Sequence, residues 1–327
     1  AEVAGETARG IARQINATMP FDVQLQALTQ AAQALRALKD EKGAAALEGR
    51  LDGLESKAYE EHQKSGLPFK TEKFAGRKGK SNRAVLVELF TGAQCPPCVA
   101  ADLAFDGLEK TYGPGEVVLL QYHVHIPGPD PLSNRDTDAR LEYYADVYPA
   151  KVRGTPSILF NGRFDAPGGG GRDAAGEKFK EYAAIVNKHL ETDAEAQVTA
   201  SAVRAGSKIA IQAKVQGLAK PGEKMRLRIA LVEDWVRYRG SNGLQYHHRV
   251  VRAMPGGAKG FPLKQKEVEQ KASVDLDELR TLLNRYLDED YEGPRPMRLR
   301  QLSVVAFVQN DETAEVLQAV QVPVKGE

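Results

Sequence analysis

Apolar positions along this chain change their period twice. Over residues 1–66, Leu25, Leu28, Ala32, Leu35 and Leu38 recur at spacings of three and four, and after Gly43 so do Leu47, Leu51, Leu54 and Ala58. Such spacing lines one face of a helix, so two runs predict a helical hairpin over residues 1–68, begun at Pro20 and stopped by Gly66-Leu67-Pro68. Residues 84–90 are almost continuously apolar, as in a strand buried on both faces, with Glu88 the exception. Val99, Leu103, Phe105 and Leu108 return to helical spacing up to Gly113-Pro114-Gly115, and residues 116–125 read as a second strand with His123 and His125 on one face. Ser133 or Asp136 then caps a helix to about Tyr148, Asn161-Gly162 marks a type I′ hairpin turn, Gly168 to Gly171 is a flexible joint, and residues 177–190 form a closing helix. From Ala196 the period becomes two in seven segments, interrupted by one helix after Asp275 with Leu276, Leu279, Leu282 and Leu283 inward. Seven alternating strands predict an all-β, Ig-like sandwich over residues 196–325.

The only two cysteines, Cys95 and Cys98, stand where the first buried strand gives way to a helix. Partial positive charge at a helix start favours a thiolate, the nucleophilic form of cysteine, so Cys95 reads as the attacking sulfur and Cys98, one turn inward, as the resolving one. Pro96 and Pro97 fix φ and remove two backbone donors, which suits a first helical turn.

Strand, Cys-Pro-Pro-Cys at a helix start and the later Gly154-Thr155-Pro156 together resemble the thioredoxin-like fold, over roughly residues 75 to 190. The resemblance implies an α/β domain over 84–192, a cis peptide before Pro156, and a substrate strand pairing with the backbone of Thr155. It implies a substrate surface made by Thr155, Pro156, Gln94, Pro96 and Pro97, and a proton-shuttling carboxylate at Glu88. The implied activity is thiol-disulfide exchange on protein disulfides, more in the reducing than the oxidising direction, recycled by a redox partner and needing no cofactor. Gln94 stands where thioredoxins carry Trp, Pro96 where they carry Gly, and the segment before Pro156 is longer. The order of this domain and a sandwich, with Val232-Glu-Asp-Trp235 and residues 246–252, resembles bacterial envelope proteins of the outer-membrane-lipoprotein-like group, which implies a periplasmic or envelope location after removal of a leader.

Composition narrows the classes. At 327 residues, 42% hydrophobic, 27% charged and net charge +1, the chain has neither a basic excess for nucleic acid nor a run of apolar residues long enough to span a bilayer. Six of the seven charged residues in the 69–83 stretch are basic, which reads as a solvated linker. Cys95 and Cys98 with His123 and His125 could formally make a zinc set, a minority reading, since exchange chemistry explains the cysteines without metal. His247 and His248 alternate on a strand and read as structural. A non-catalytic binding protein with a static disulfide is the alternative of a different class; oligomeric state is left open.

Overall fold

The computed structural model describes residues 2–326, which divide into two compact units at the Gly66–Leu67 junction. The first unit holds three helices rather than the expected two: α1 (Glu2–Gln14), α2 (Phe21–Ala37) and α3 (Glu41–Ser65). Leu28, Leu35, Leu47 and Leu51 close its core together with Ala8 and Ala12 of α1 and with Ile15 just after it; the small residues of α1 gave a weak periodic signal. Asp40, not Gly43, makes the break, accepting a hydrogen bond from the Gly43 amide as the cap of α3.

The second unit is mixed α/β. Strand β1 (Val85–Thr91) runs through the 3₁₀ turn Pro96–Cys98 into α4 (Val99–Thr111), and β2 (Val117–His123) returns parallel to β1. After α5 (Arg135–Val147), the hairpin of β3 (Ser157–Phe160) and β4 (Arg163–Pro167) adds antiparallel to β1, and α6 (Ala175–Leu190) packs on the same face as α4. Asn161 and Gly162 both have positive φ, as a type I′ turn demands. Asn134, rather than Ser133 or Asp136, caps α5 in a box with Thr137.

Seven strands after residue 196 overlap the segments that alternation marks, namely β5 (Gln197–Ala205), β6 (Lys208–Gln216), β7 (Gly222–Arg237), β8 (Tyr246–Ala253), β10 (Val268–Asp275), β11 (Leu302–Asn310) and β12 (Val316–Gly326), and the short β9 (Phe261–Leu263) is an addition that alternation does not mark. They do not form a body of their own. Gln121 of β2 pairs with Val250 of β8, and among the described residues all twelve strands join one sheet, in the order β10-β6-β5-β12-β11-β7-β8-β2-β1-β3-β4 with β9 beside β7. Leu86, Phe90 and Tyr122 of one region share a core with Val232, Val251, Phe307 and Val316 of the other, an apolar continuity that strand-by-strand reading misses. The basic stretch before β1 is likewise not merely solvated: Arg83 is buried, donating to Val316 O at 2.6 Å and facing Glu315, and Arg77 donates to Arg83 O at 2.7 Å. In α7 (Leu276–Leu287), Leu276, Leu279 and Leu283 face inward but Leu282 is 50% exposed. Among the described residues no helix is long and apolar enough to cross a membrane.

Candidate functional site

Cys95 and Cys98 are joined as a disulfide at the junction of β1 and α4. Gly92 O accepts from the Cys95 amide at 3.0 Å and Cys95 O from the Cys98 amide at 3.0 Å, so two successive turns carry the chain from strand to helix. Pro96 and Pro97 occupy the first positions of the 3₁₀ turn and are the exposed part of the loop, whereas Cys98 is fully buried and Cys95 is only 2% exposed.

The structure brings Thr155 and Pro156 to this loop. The Thr155–Pro156 peptide is cis, and Thr155 Oγ1 lies 3.5 Å from Cys95 Sγ while reaching Ile126 O at 3.2 Å. The glycine run is no loose joint. Gly170 donates to Pro97 O at 2.8 Å and accepts from the Ala100 amide at 3.0 Å, and a Cβ on Gly168 would meet Pro156 O at 2.8 Å, so only glycine passes there. Residues 238–244, between β7 and β8, cover the other side. Asn242 donates its amide to Ala93 O at 3.0 Å, Ser241 donates to Gln94 Oε1 at 3.0 Å, and Gln94 Nε2 donates to Tyr238 OH at 3.2 Å. This cover, rather than surface exposure, is what the half-buried Gln94 meets.

Glu88 is not brought to the cysteines. Along β1, Val85, Val87 and Leu89 face α4, while Leu86, Glu88 and Phe90 face the opposite side. There Arg140 of α5 grips the Glu88 carboxylate with Nε and Nη2, each at 2.9 Å, and Tyr122 OH donates to it at 2.9 Å, with Tyr144 OH a fourth donor. A seven-residue offset from Cys95 puts the side chain on the wrong face for a proton shuttle, and the buried ion pair occupies it.

On the helix-facing side, a polar cluster takes the place that Glu88 was expected to fill. The rows Val85-Val87-Leu89 and Val117-Leu119 end in Thr91 and in Gln121 and His123, directly under the start of α4. Gln121 Nε2 donates to Asp102 Oδ1 at 3.0 Å, its Oε1 lies 3.1 Å from His123 Nε2, and His123 Nδ1 lies 3.0 Å from Asp130 Oδ2. Asp130 also accepts from the Ala93 amide, two residues before Cys95. Asp102, one helical turn after Cys98, is buried, and burial drives its carboxyl pKa well up, opposed by hydrogen bonds from Thr91 and Gln121. At Asp130 burial also pushes upward, but His123 and further hydrogen bonds prevail and hold the carboxyl below its ordinary value. His247 packs edge-on against His123, ring centroids 4.8 Å apart, and burial lowers its pKa to about 3. The sequence signal for this cluster was present: polar residues ending otherwise apolar rows on the face that receives the cysteine helix.

The zinc set is not assembled: both sulfurs are in a disulfide, His123 is engaged as described, and β2 ends before His125, which stacks on Tyr286 at 5.2 Å. His247 and His248 are both buried. His248 pairs with Asp106 at 2.7 Å, and together with Glu109 these form the one group among the described residues with metal-ligand spacing. Arg249 already neutralises Glu109, at 2.6 Å.

No curated protein matches the chain. Among solved structures, it is similar to protein AGR_C_4864 from Agrobacterium tumefaciens, 16% identical over 76% of this chain and 97% of that one, with a TM-score of 0.46. It is also similar to HBP35 of Porphyromonas gingivalis, 16% identical over 76% of this chain and 77% of that one, with a TM-score of 0.49. Likenesses at this level carry no argument about function. The family model described as protein of unknown function (DUF1223) matches residues 86–276, more than half of the chain, and this protein therefore belongs to the DUF1223 family.

Proposed function

We propose that this protein is a thiol-disulfide oxidoreductase acting on protein disulfides through Cys95 and Cys98, with residues 84–192 as a thioredoxin-like domain and the strands of 196–325 as an Ig-like addition whose sheet has merged with it. The observation that carries the reading is the placement of the Cys95–Cys98 pair at the start of α4 beside the cis Thr155–Pro156 peptide. Reduced Cys95 attacks one sulfur of a partner's disulfide, the partner's other sulfur leaves with the electron pair and takes a proton, and a mixed disulfide forms. Cys98 then loses its proton and attacks Cys95 Sγ, and the partner leaves as a dithiol, two electrons richer, while the Cys95–Cys98 bond is restored. The helix start favours the Cys95 thiolate, and the Thr155 hydroxyl can turn its one proton from Ile126 O toward it. A partner chain would pair in extended form with Thr155, and Pro96, Pro97 and Gln94 would border it. We place the protein in the bacterial envelope or periplasm, with a separate redox partner regenerating the dithiol.

One observation favours a second reading. At 2% exposure, Cys95 is closed to a partner unless its surroundings move, as in a non-catalytic scaffold with a static disulfide. Titration of the pair against glutathione buffers separates the two. A reversible two-electron transition, with a mixed disulfide trapped on Cys95 in Cys98→Ser, supports the oxidoreductase, and its midpoint assigns the direction. A pair that stays oxidised and unreactive under native conditions leaves the scaffold.

A further inference from the structure

The turn that carries the cysteines is gripped on both flanks by residues 238–244, between β7 and β8. Before Cys95, Asn242 donates its backbone amide to Ala93 O at 3.0 Å and its side-chain nitrogen to Gly92 O at 3.4 Å, the carbonyl that also accepts from the Cys95 amide. After Cys98, Leu244 joins Val99 and Leu103 of α4 in one apolar cluster. Gly240 lies so close that a Cβ there would meet Ala93 O at 2.1 Å, so only glycine lets the segment down onto the turn. The segment is closed on itself: Tyr238 donates its amide to Gln245 O at 3.1 Å, Gly243 to Gly240 O at 3.1 Å, and Asn242 Oδ1 accepts from the Leu244 amide at 3.0 Å.

Gln94 completes the grip, and the acceptor at the far end of its chain of partners sets the direction. Pro294 O can only accept, so Tyr291 OH donates to it at 3.1 Å. Tyr291 OH therefore accepts from Tyr238 OH, 3.2 Å away, and Tyr238 OH accepts from Gln94 Nε2 at 3.2 Å. That leaves Gln94 Oε1 for the Ser241 amide, at 3.0 Å. Each hydroxyl gives one proton and takes one, so the Gln94 amide has a single orientation and ties the residue before Cys95 to two separate segments.

Reduction of the pair asks this region to move. When two glutathione thiols reduce it, the Cys95–Cys98 bond breaks, each sulfur takes one electron and one proton, and the glutathiones leave joined as a disulfide. The two sulfurs must then part from bonding distance to ordinary contact. Cys98 is fully buried at the head of α4, so the displacement falls on Cys95 and the residues leading into it, the ones that Gln94, Asn242 and Gly240 hold. Contacts fitted to the disulfide form weigh against the dithiol by whatever they lose in that displacement.

We infer that residues 238–244, together with Gln94, position the redox turn in its disulfide form and so set the pair toward the reducing side, which gives the strands after residue 196 a part in the exchange. Gln94, Asn242 and Gly240 are positioning residues that act through residues 92–94. The inference rests on the exchange reading above and deepens it.

The test uses the full chain and reads the equilibrium between disulfide and dithiol in glutathione buffers at pH 7, by alkylation and mass. A loss of stability shared by both forms cancels from that constant, so a merely structural role does not move it. Gln94→Ala, which removes two hydrogen bonds, is expected to shift the constant about tenfold toward the dithiol, or about 30 mV for a two-electron couple. Tyr238→Phe, which breaks only the chain from Gln94 to Tyr291, should shift it about threefold in the same direction. Gly240→Ala, which lifts the segment from Ala93, should shift it at least as far as Gln94→Ala. By linkage, Gln94→Ala must also lose more stability to denaturant in the oxidised form than in the reduced form, by the same factor. Gln94→Ala at the wild-type constant, or shifted toward the disulfide, overturns the inference and leaves the exchange reading standing. A wild-type pair that never cycles removes both. Should Gly240→Ala not fold, Gln94→Ala and Tyr238→Phe decide.

Discussion

Two buried carboxylates lie on opposite faces of the same two strands, and they are solved differently. Glu88 has both oxygens in hydrogen bonds, to Arg140 and two tyrosine hydroxyls, and the Arg140 guanidinium also sits over the Tyr144 ring at 4.5 Å. Asp102 faces no cation directly: Oδ1 accepts from Gln121, and Thr91 adds only a poorly aligned hydrogen bond. A carboxylate with both oxygens paired fixes a structure; an acid with few partners is driven by burial toward its neutral form. The difference separates a carboxylate that locks α5 to the sheet from an acid whose charge burial disfavours.

Breaking the saturated side should give the largest effect. Glu88→Ala leaves Arg140 buried without its counter-charge and is expected to cost about 3–5 kcal/mol in denaturant unfolding, with the exchange rate of the surviving folded protein little changed. A fully stable Glu88→Ala with a shifted pH profile for exchange would instead restore Glu88 as a shuttle and reverse the comparison. Next in size is His247, which joins the opposite face by packing on His123. Its folded-state pKa of about 3 lies below the ordinary 6.5, so between these values the unfolded chain binds a proton that the folded chain refuses. Its stabilising contribution is full above about pH 6.5 and is lost as pH falls toward 3, close to 1.4 kcal/mol per unit in the steep part, or about 2 kcal/mol by pH 5. Thermal unfolding of His247→Gln between pH 7 and 5 should lack that share of the acid sensitivity; an unchanged slope would mean that His247 is not held neutral.

The same contrast explains what was readable in the sequence. Val85 to Phe90 and Val117 to Tyr122 announce two buried strands, and Asn161-Gly162 announces its turn, because local sterics and burial set these features. The thiol pair and Thr155-Pro156 were legible for the same reason, as local motifs. Which face Glu88 occupies depended on counting its parity from the neighbours it packs with, and its partner Arg140 lies 52 residues on, in a helix whose position no periodicity gives. Asp102 sits within an apolar helical stretch where one acid reads as a first-turn charge favoured by the dipole. The union of β8 with β2 rests on one registered pair, and the 238–244 cover on backbone groups of Gly92 and Ala93, which carry no side-chain signature.

The smallest predicted effect is the sharpest, since it concerns Asp102 without any substrate. An acid whose folded-state pKa is raised favours folding only while protonated: above about pH 4 the unfolded chain has released its proton and the folded chain still holds it, so stability falls with rising pH until the folded-state pKa is passed. Asn at the same place keeps the volume and an oxygen for Gln121 but carries no charge to desolvate. Oxidised Asp102→Asn should therefore match the wild-type protein near pH 4 and exceed it by about 1–2 kcal/mol at pH 8, the gap opening above pH 4 and levelling off once the folded-state pKa is passed. The corresponding Glu88→Gln, made on the saturated face, should show a loss of stability at pH 8 instead. Opposite signs for two neutralised carboxylates packed against the two faces of one pair of strands would establish that the pairing around each acid, and not burial as such, decides whether its charge stabilises the fold.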